Sequence, residues 1–187
     1  MVGTIKVGKL QAAAGTSDTI SIESGHKISG AAGALSVPGV VIQTVDFTHS
    51  TELVVNSTTF TNTGLSGVIT PKFSNSKIFV TVFQQIRLSG DHDHGLGFKI
   101  QRTIGGTTVD VYDPVTRYEY YLYDGTNNSA NDERHDRFPM FVVDTPSSTS
   151  ACTYSVQFAS MRTDNNNNAK AQPNGNISMG HLMEIAQ

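Results

Sequence analysis

The sequence predicts an all-β protein with a jelly-roll-like sandwich of two sheets over most of its length. Hydrophobic residues make up 37% and charged residues 16% of the 187 residues, while Ser, Thr, Asn and Gly are abundant. The apolar segments are rich in Val, Ile and Thr, and Ala, Leu, Glu and Lys do not recur at helical spacing. Turn residues separate these segments at short intervals, which is typical of a sandwich.

Residues 1–39 are predicted to form a separate, β-rich segment. They contain no Phe, Tyr or Trp, so they cannot build a core alone. Ile5 and Val7 alternate with polar residues, as do Ile20 and Ile22, which indicates thin strands. We expect these strands to be covered by their own copies around a three-fold axis or by another protein; the alternative is a disordered tail. The small residues and proline of AAGALSVPG end this segment, and the head domain covers residues 40–187.

The first half of the head domain is predicted to hold four strands. The fourth is the strongest, because Ile78, Val80 and Val82 lie on one face and Phe79 and Phe83 on the other. One face fits the sandwich core, and the other needs a neighbouring sheet or subunit. Phe79 and Phe83 are therefore predicted at a subunit interface. The four strands are Val40–His49, Glu52–Thr61, Leu65–Thr70 and Lys77–Leu88.

The second half continues with short strands and longer polar connections. A hairpin is predicted at Ile104-Gly105-Gly106, because Gly-Gly tolerates positive φ. About ten strands result without internal repeats, which favours a sandwich over a propeller. In order, the predicted segments are strands Leu96–Thr103 and Thr107–Tyr112, the aromatic run Arg117–Tyr123, a polar insertion Asp124–Arg137, strands Phe138–Asp144 and Ala151–Thr163, an Asn-rich turn Asp164–Asn168 and a strand Ile177–Ile185.

Charge and composition exclude several classes of function. The net charge of -3 and pI of about 6.0 leave no basic field for nucleic acid. Cys152, the single cysteine, lies in a strand-like run and is predicted to be a buried, inert thiol. No run approaches the roughly 20 apolar residues of a membrane span, so we expect no membrane insertion and assembly in a cytoplasm.

One cluster has the residue types of a metal site. Asp91-His92-Asp93-His94 offers two imidazoles and two carboxylates. Neighbouring residues of an extended loop point in opposite directions, so His92 and His94 would form a closed site only with copies meeting on a symmetry axis. The alternative is a hydrated turn between Gly90 and Gly95, and no cofactor is expected.

An enzyme is not expected. The sequence has no nucleophile elbow, zinc-protease helix or phosphate-binding loop. Asp132 and Asp136 have no apolar pocket in sequence to raise a carboxyl pKa, which disfavours glycosidase chemistry.

The polar insertion is the candidate recognition region, because long loops on rigid sandwiches commonly bind partners. Its charge cluster, Asp132–Arg137, is alternatively a solvated, self-paired loop, and the tyrosines are alternatively core or subunit interface. Aromatic faces and amides suit sugar rings and their hydroxyl groups. The predicted receptor-binding residues are Tyr120, Tyr121, Tyr123, Asn127, Asn128 and Arg134.

Three phrases together resemble short virion proteins of marine and cyanobacterial phages. They are Thr4–Gln11 (TIKVGKLQ), Ile69–Val82 (ITPKFSNSKIFVTV) and His181–Gln187 (HLMEIAQ). The similarity is one of pattern and order over most of the chain. The resemblance implies a fibre or decoration protein at the virion surface, with a trimeric head similar to C1q and tumour-necrosis-factor domains.

Two main hypotheses follow from this resemblance. In the first, a homotrimer is anchored to other virion proteins through residues 1–39, and its head contacts a glycan or protein of the host surface with the help of avidity. In the second, the same trimer clamps neighbouring coat subunits as a capsid decoration protein. A third hypothesis, a hydrolase acting on capsule, lacks the repeats of depolymerising spikes.

Overall fold

The computed structural model describes Ser24 and residues 38–90, 93–114, 119–122, 132–163 and 168–187. All of these except Ser24 belong to one compact unit, Ala32–Gln187. The strands predicted within residues 1–37 lie outside the described residues. The described strands are β1 Val41–His49, β2 Leu53–Val55, β3 Thr61–Ile69, β4 Lys77–Gly90, β5 His94–Ile104, β6 Thr107–Tyr112, β7 Tyr120–Leu122, β8 Asp132–Asp144, β9 Cys152–Ser160, β10 Asn168–Ala171 and β11 Ser178–Ile185, with a 3-10 turn at Pro173–Gly175.

The strands form two antiparallel sheets. In the six-stranded sheet, β8 lies along one edge of β4, and β11 and β10 lie end to end along the other, followed outward by β1 and β2. In the five-stranded sheet, β3-β9-β5 is followed by β6 and β7, which lie end to end along β5.

Without the three shortest strands, the sheets run β1-β11-β4-β8 and β3-β9-β5-β6. Successive long strands change sheet except at the β5–β6 hairpin. This is the arrangement of a jelly roll, and the predicted fold class is confirmed.

The core lies between the sheets and uses one face of each long strand. Ile78, Val80 and Val82 of β4 are fully buried, as the alternation predicted. From the other sheet, Phe98 stacks on Phe138 of β8 with ring centroids 4.5 Å apart. Cys152 is buried as predicted, and burial raises the pKa of its thiol.

Phe47 of β1 lies between two glycines of opposite sheets. A Cβ on Gly180 of β11 would lie 2.0 Å from its ring, and a Cβ on Gly67 of β3 would lie 2.4 Å from it. Both positions require glycine, because any side chain there would displace the ring.

On one edge of β4 and on one edge of β5, two neighbouring strands lie end to end and leave a gap between them. At each gap a side chain accepts a hydrogen bond from a backbone amide of the central strand. On β4, Ser178 Oγ accepts a hydrogen bond from the Gln85 amide at 2.9 Å and lies 2.8 Å from the buried Gln84 side chain. On β5, the Glu119 carboxylate accepts a hydrogen bond from the Phe98 amide. The jelly roll thus keeps interrupted edges without unpaired backbone donors at these two positions.

The predicted hairpin is confirmed, with φ of 54° at Gly105 and 84° at Gly106. The prediction of a polar insertion over Asp124–Arg137 is wrong in its second part. β8 begins at Asp132 and pairs with β4 as far as Gly90. β4 continues to Gly90 and provides backbone partners for this segment, although the side chains of residues 133–137 are exposed. Asp124–Asn131 lies outside the described residues.

Other boundaries also differ from the prediction. The expected strand Glu52–Thr61 is reduced to β2, and its last residue begins β3. β10 begins at the end of the predicted Asn-rich turn, whose residues 164–167 are not described. Of the aromatic run, the described part contains β7.

Candidate functional site

The outer face of the six-stranded sheet carries an apolar surface. We call Phe79, Phe83, Phe141, Val143, Met179 and Met183 the apolar face. In register, Phe79 lies opposite Val143 and Met183, and Phe83 lies opposite Met179, so the side chains form continuous rows across β8, β4 and β11. Phe141 is 69% exposed and Val143 53% exposed. The strands hold these side chains outward because their neighbours in sequence fill the core.

The two predicted interface residues lie on this face. Phe83 is 39% exposed and Phe79 is half-buried. Phe141 and Val143 were not among the predicted interface residues, although they alternate with the inward residues Met140 and Val142 in the same two-faced pattern as β4. That apolar run was the signal that could have identified them.

The outer face of the five-stranded sheet is different in character. Its central strands β9 and β5 present Thr, Ser, Gln and Lys side chains. Val68, on the edge strand β3, is an exposed apolar exception. Lys99 pairs with Asp110 at 2.9 Å and with Asp113 at 2.7 Å, and Gln101 bonds Gln157. One sheet therefore has a solvated outer face, whereas the other exposes aromatic and aliphatic groups.

A depression of about 210 Å³ lies in the six-stranded sheet. We call it the Gly180 depression, and its walls are almost wholly apolar atoms. At its rim the His181 ring nitrogen Nδ1 contacts the Asp46 carboxylate, whose side chain is 82% exposed. The lining residues are Asp46, Phe47, Thr48, Thr81, Phe83, Met179, Gly180 and His181.

The edge of this sheet at β8 is blunted by proline. Pro139 lies opposite Phe83 and has no N–H, so its backbone nitrogen faces away from β4, toward the outer edge. No further strand pairs with that edge within the described residues. A missing donor in the middle of the strand hinders addition of another strand. Partners are therefore expected to use the face of the sheet.

The charge cluster lies on β8 beside the apolar face. Glu133 is paired with Arg87 and lies 2.6 Å from His135 Nε2. Arg134 and Arg137 are exposed. The cluster is thus a largely self-paired strand surface and not the long loop that was predicted.

The predicted receptor-binding residues are only partly described. Tyr120 is half-buried against Phe138, and its hydroxyl donates to Asp136 at 2.9 Å. Burial, together with this hydrogen bond, raises the pKa of Tyr120 to about 12. Tyr121 is exposed and donates to Asp93 at 2.9 Å. Arg134 is exposed, and Tyr123, Asn127 and Asn128 lie outside the described residues.

The predicted metal ligands are not brought together as a described site. His94 is only 1% exposed and begins β5 opposite Leu122, so the hydrated-turn interpretation is wrong at this residue. A central strand continues through this position, which buries the ring. His92 lies outside the described residues. Among the residues that are described, no group of three or more His, Cys, Asp or Glu side chains could hold a metal ion.

The described part of the chain also contains no helix with the length and apolar character of a membrane span.

Comparisons with known proteins include a structural likeness. No protein-family model and no curated protein matches the chain. A solved structure of the VP2 protein of infectious bursal disease virus, a D431N mutant in T=1 particles, matches with a TM-score of 0.37 and 10% identity. The match covers 86% of this chain and 40% of that chain. A likeness at this level does not extend to function.

Proposed function

We propose that this chain is a non-enzymatic structural protein of a virus surface, a homotrimer whose jelly-roll head attaches the particle to a host surface. The observation that carries the homotrimer is the contrast between the outer faces of the two sheets. The five-stranded sheet is polar outside, whereas the apolar face exposes Phe141, Val143, Phe83 and Met179. Such a surface is stabilised when another chain covers it.

Two further points support placement on a virion. Two of the three phrases on which the resemblance to phage virion proteins rests, Ile69–Val82 and His181–Gln187, include parts of β4 and β11 and contribute Phe79 and Met183 to the apolar face. The jelly roll is also a common architecture of viral shell proteins. Residues 1–39 would then contact other virion proteins.

Attachment to the host surface is the first candidate function of the head. Tyr121 and Arg134 are exposed and flank residues 123–131 in the sequence, a segment that contains the remaining predicted contacts Tyr123, Asn127 and Asn128. Three copies of a weak site on one trimer would bind a surface by avidity.

Capsid decoration is the second candidate, and the apolar face also favours it. A broad apolar sheet face can lie on coat subunits as readily as on its own copies. In that case the outward loops need no ligand.

The oligomer is tested by light scattering of the purified chain during gel filtration. We expect three times the 20.1 kDa of one chain. A monomer at concentrations of about 10 μM, in the range where folded oligomers normally persist, would contradict the homotrimer.

The location is tested by labelling particles that carry this chain with an antibody against it. Label at fibre tips supports attachment, and label spread over the capsid lattice supports decoration. Absence of label from intact particles would overturn the virion proposal. Cell binding by a variant lacking residues 124–131, compared with the full chain, then tests the receptor region.

A further inference from the structure

Phe141 projects from the edge strand of the apolar face. At 69% it has the largest exposed fraction among the large hydrophobic residues that are described. It lies opposite Thr81 of β4, on the outward side of β8. Burying such a ring removes a large apolar surface from water, so this ring is a strong candidate for a contact.

The Gly180 depression has the size and chemistry to receive such a ring. Its volume of about 210 Å³ is below that of a typical small-molecule site, about 300 to 1,000 Å³. Phe83 and Met179 line it, and thioether sulfur contacts aromatic edges favourably. The space therefore suits one large apolar side chain.

Phe141 does not fill the depression of its own chain. It remains exposed, and the depression is lined by residues of β4, β11 and β1 and by none of β8. We infer that Phe141 of one copy inserts into the Gly180 depression of the next copy. Because the ring and the depression are different residues of one sheet face, two copies can make the contact reciprocally, or several copies can repeat it around a ring.

The charges beside Phe141 and at the rim of the Gly180 depression also support a second copy as the occupant. Asp46 is at the rim of the depression, and its side chain is 82% exposed. Arg137 lies on the same outward side of β8 as Phe141, and no described carboxylate forms an ion pair with it. A second copy arriving with β8 over the depression brings positive charge toward Asp46. The inference rests on the proposed homotrimer for the number of copies.

The experiment uses two variants that each lose one half of the contact. Phe141→Ala removes the ring, and Thr48→Phe fills the depression from an exposed position of β1. Each alone should weaken the wild-type oligomer at least about tenfold in dissociation constant, measured by light scattering over a dilution series. Val68→Ala and Ser66→Phe make the same changes on the polar sheet face and should leave the oligomer unchanged.

Mixing the two variants gives the decisive result. Thr48→Phe still carries the ring and Phe141→Ala still carries the depression, so an equimolar mixture should form one-to-one dimers in native mass spectrometry. If Thr48→Phe fails to fold by circular dichroism, Met179→Trp takes its place. A Phe141→Ala variant with the wild-type mass and affinity, or a mixture without heterodimers, would overturn the inference.

The outcomes separate this inference from the proposed function. A monomeric wild type refutes the homotrimer itself. A trimeric wild type whose Phe141→Ala variant is equally trimeric refutes only the insertion of Phe141.

Discussion

Glu184 of β11 is fully buried, and both of its carboxylate oxygens accept hydrogen bonds. Oε1 accepts from the backbone amides of Lys72 at 2.7 Å and Phe73 at 3.3 Å, and Oε2 accepts from the Gln43 side chain. The carboxylate thus fixes the turn before β4. It also connects two of the phrases that carry the resemblance, ITPKF and LMEI, which are more than 100 residues apart in the chain.

Replacing Glu184 with Ala should lower the free energy of unfolding by about 3 kcal/mol, because two part-buried backbone amides lose their acceptor. Glu184→Gln keeps one oxygen and should cost less. Urea unfolding followed by circular dichroism measures both variants. Glu133→Ala, at an exposed ion pair, serves as the control and should change the midpoint little. Equal effects of the Glu184 and Glu133 variants would contradict this role.

Glu119 is a half-buried carboxyl beside β5. Burial raises its pKa above the ordinary 4.5, although hydrogen bonds from Tyr112 and the Phe98 amide act in the opposite direction. The folded chain therefore holds this proton more tightly than the unfolded chain. Its contribution to stability is fully present below the ordinary pKa and is lost as the pH rises through the raised value.

Glu119→Gln should accordingly gain stability relative to the wild type as the pH rises from about 4 to about 7. Urea unfolding of both proteins across this range measures the difference. Glu133→Gln is the control with opposite sign, because the hydrogen bond from His135 lowers the pKa of Glu133. If the stability of Glu119→Gln instead falls relative to that of the wild type as the pH rises, a raised pKa of Glu119 is excluded.

At the scale of elements, β8 is a long edge strand with two features that disfavour pairing with a strand of another sheet. Its first half is charged, and Pro139 removes one donor from the outer edge. Strand edges without such features recruit other chains. The apolar side chains can therefore face a partner while the backbone edge resists addition of a strand.

Pro139→Thr should restore that donor and increase aggregation without reducing the stability of the folded chain. Light scattering during incubation at about 37 °C measures this. Val143→Thr in the same strand leaves the backbone pattern unchanged and should not aggregate faster than the wild type. An unchanged aggregation rate for Pro139→Thr would show that the edge is protected by other means.

At the scale of the whole molecule, the domain has one solvated face and one apolar face. Association that covers the apolar face couples folding to concentration, since the folded oligomer is favoured by mass action. The wild-type Tm should then rise with protein concentration. Phe83→Thr, on the apolar face, should lower the Tm and weaken its concentration dependence, whereas Val68→Thr on the polar face should not. A Tm independent of concentration over two decades would argue against an obligate oligomer.

The sequence determined the class of the fold and the two-faced character of its strands. Alternation along Lys77–Leu88 separated Ile78, Val80 and Val82 from Phe79 and Phe83, because side-chain direction in a strand follows sequence parity. Gly105-Gly106 similarly specified its hairpin through local backbone freedom. These features depend only on neighbours in the chain.

The tertiary structure decided what depends on strand pairing. Asp132–Arg137 has the composition of a loop, yet it becomes strand because β4 continues to Gly90 and offers it a ladder of hydrogen bonds. His94 resembles part of a hydrated turn but is buried by β7 and the core. Likewise, Phe141 and the Gly180 depression share one face only because β8, β4, β11 and β1 are adjacent in the sheet. Local sequence cannot encode such contacts, since their energy comes from residues far apart in the chain.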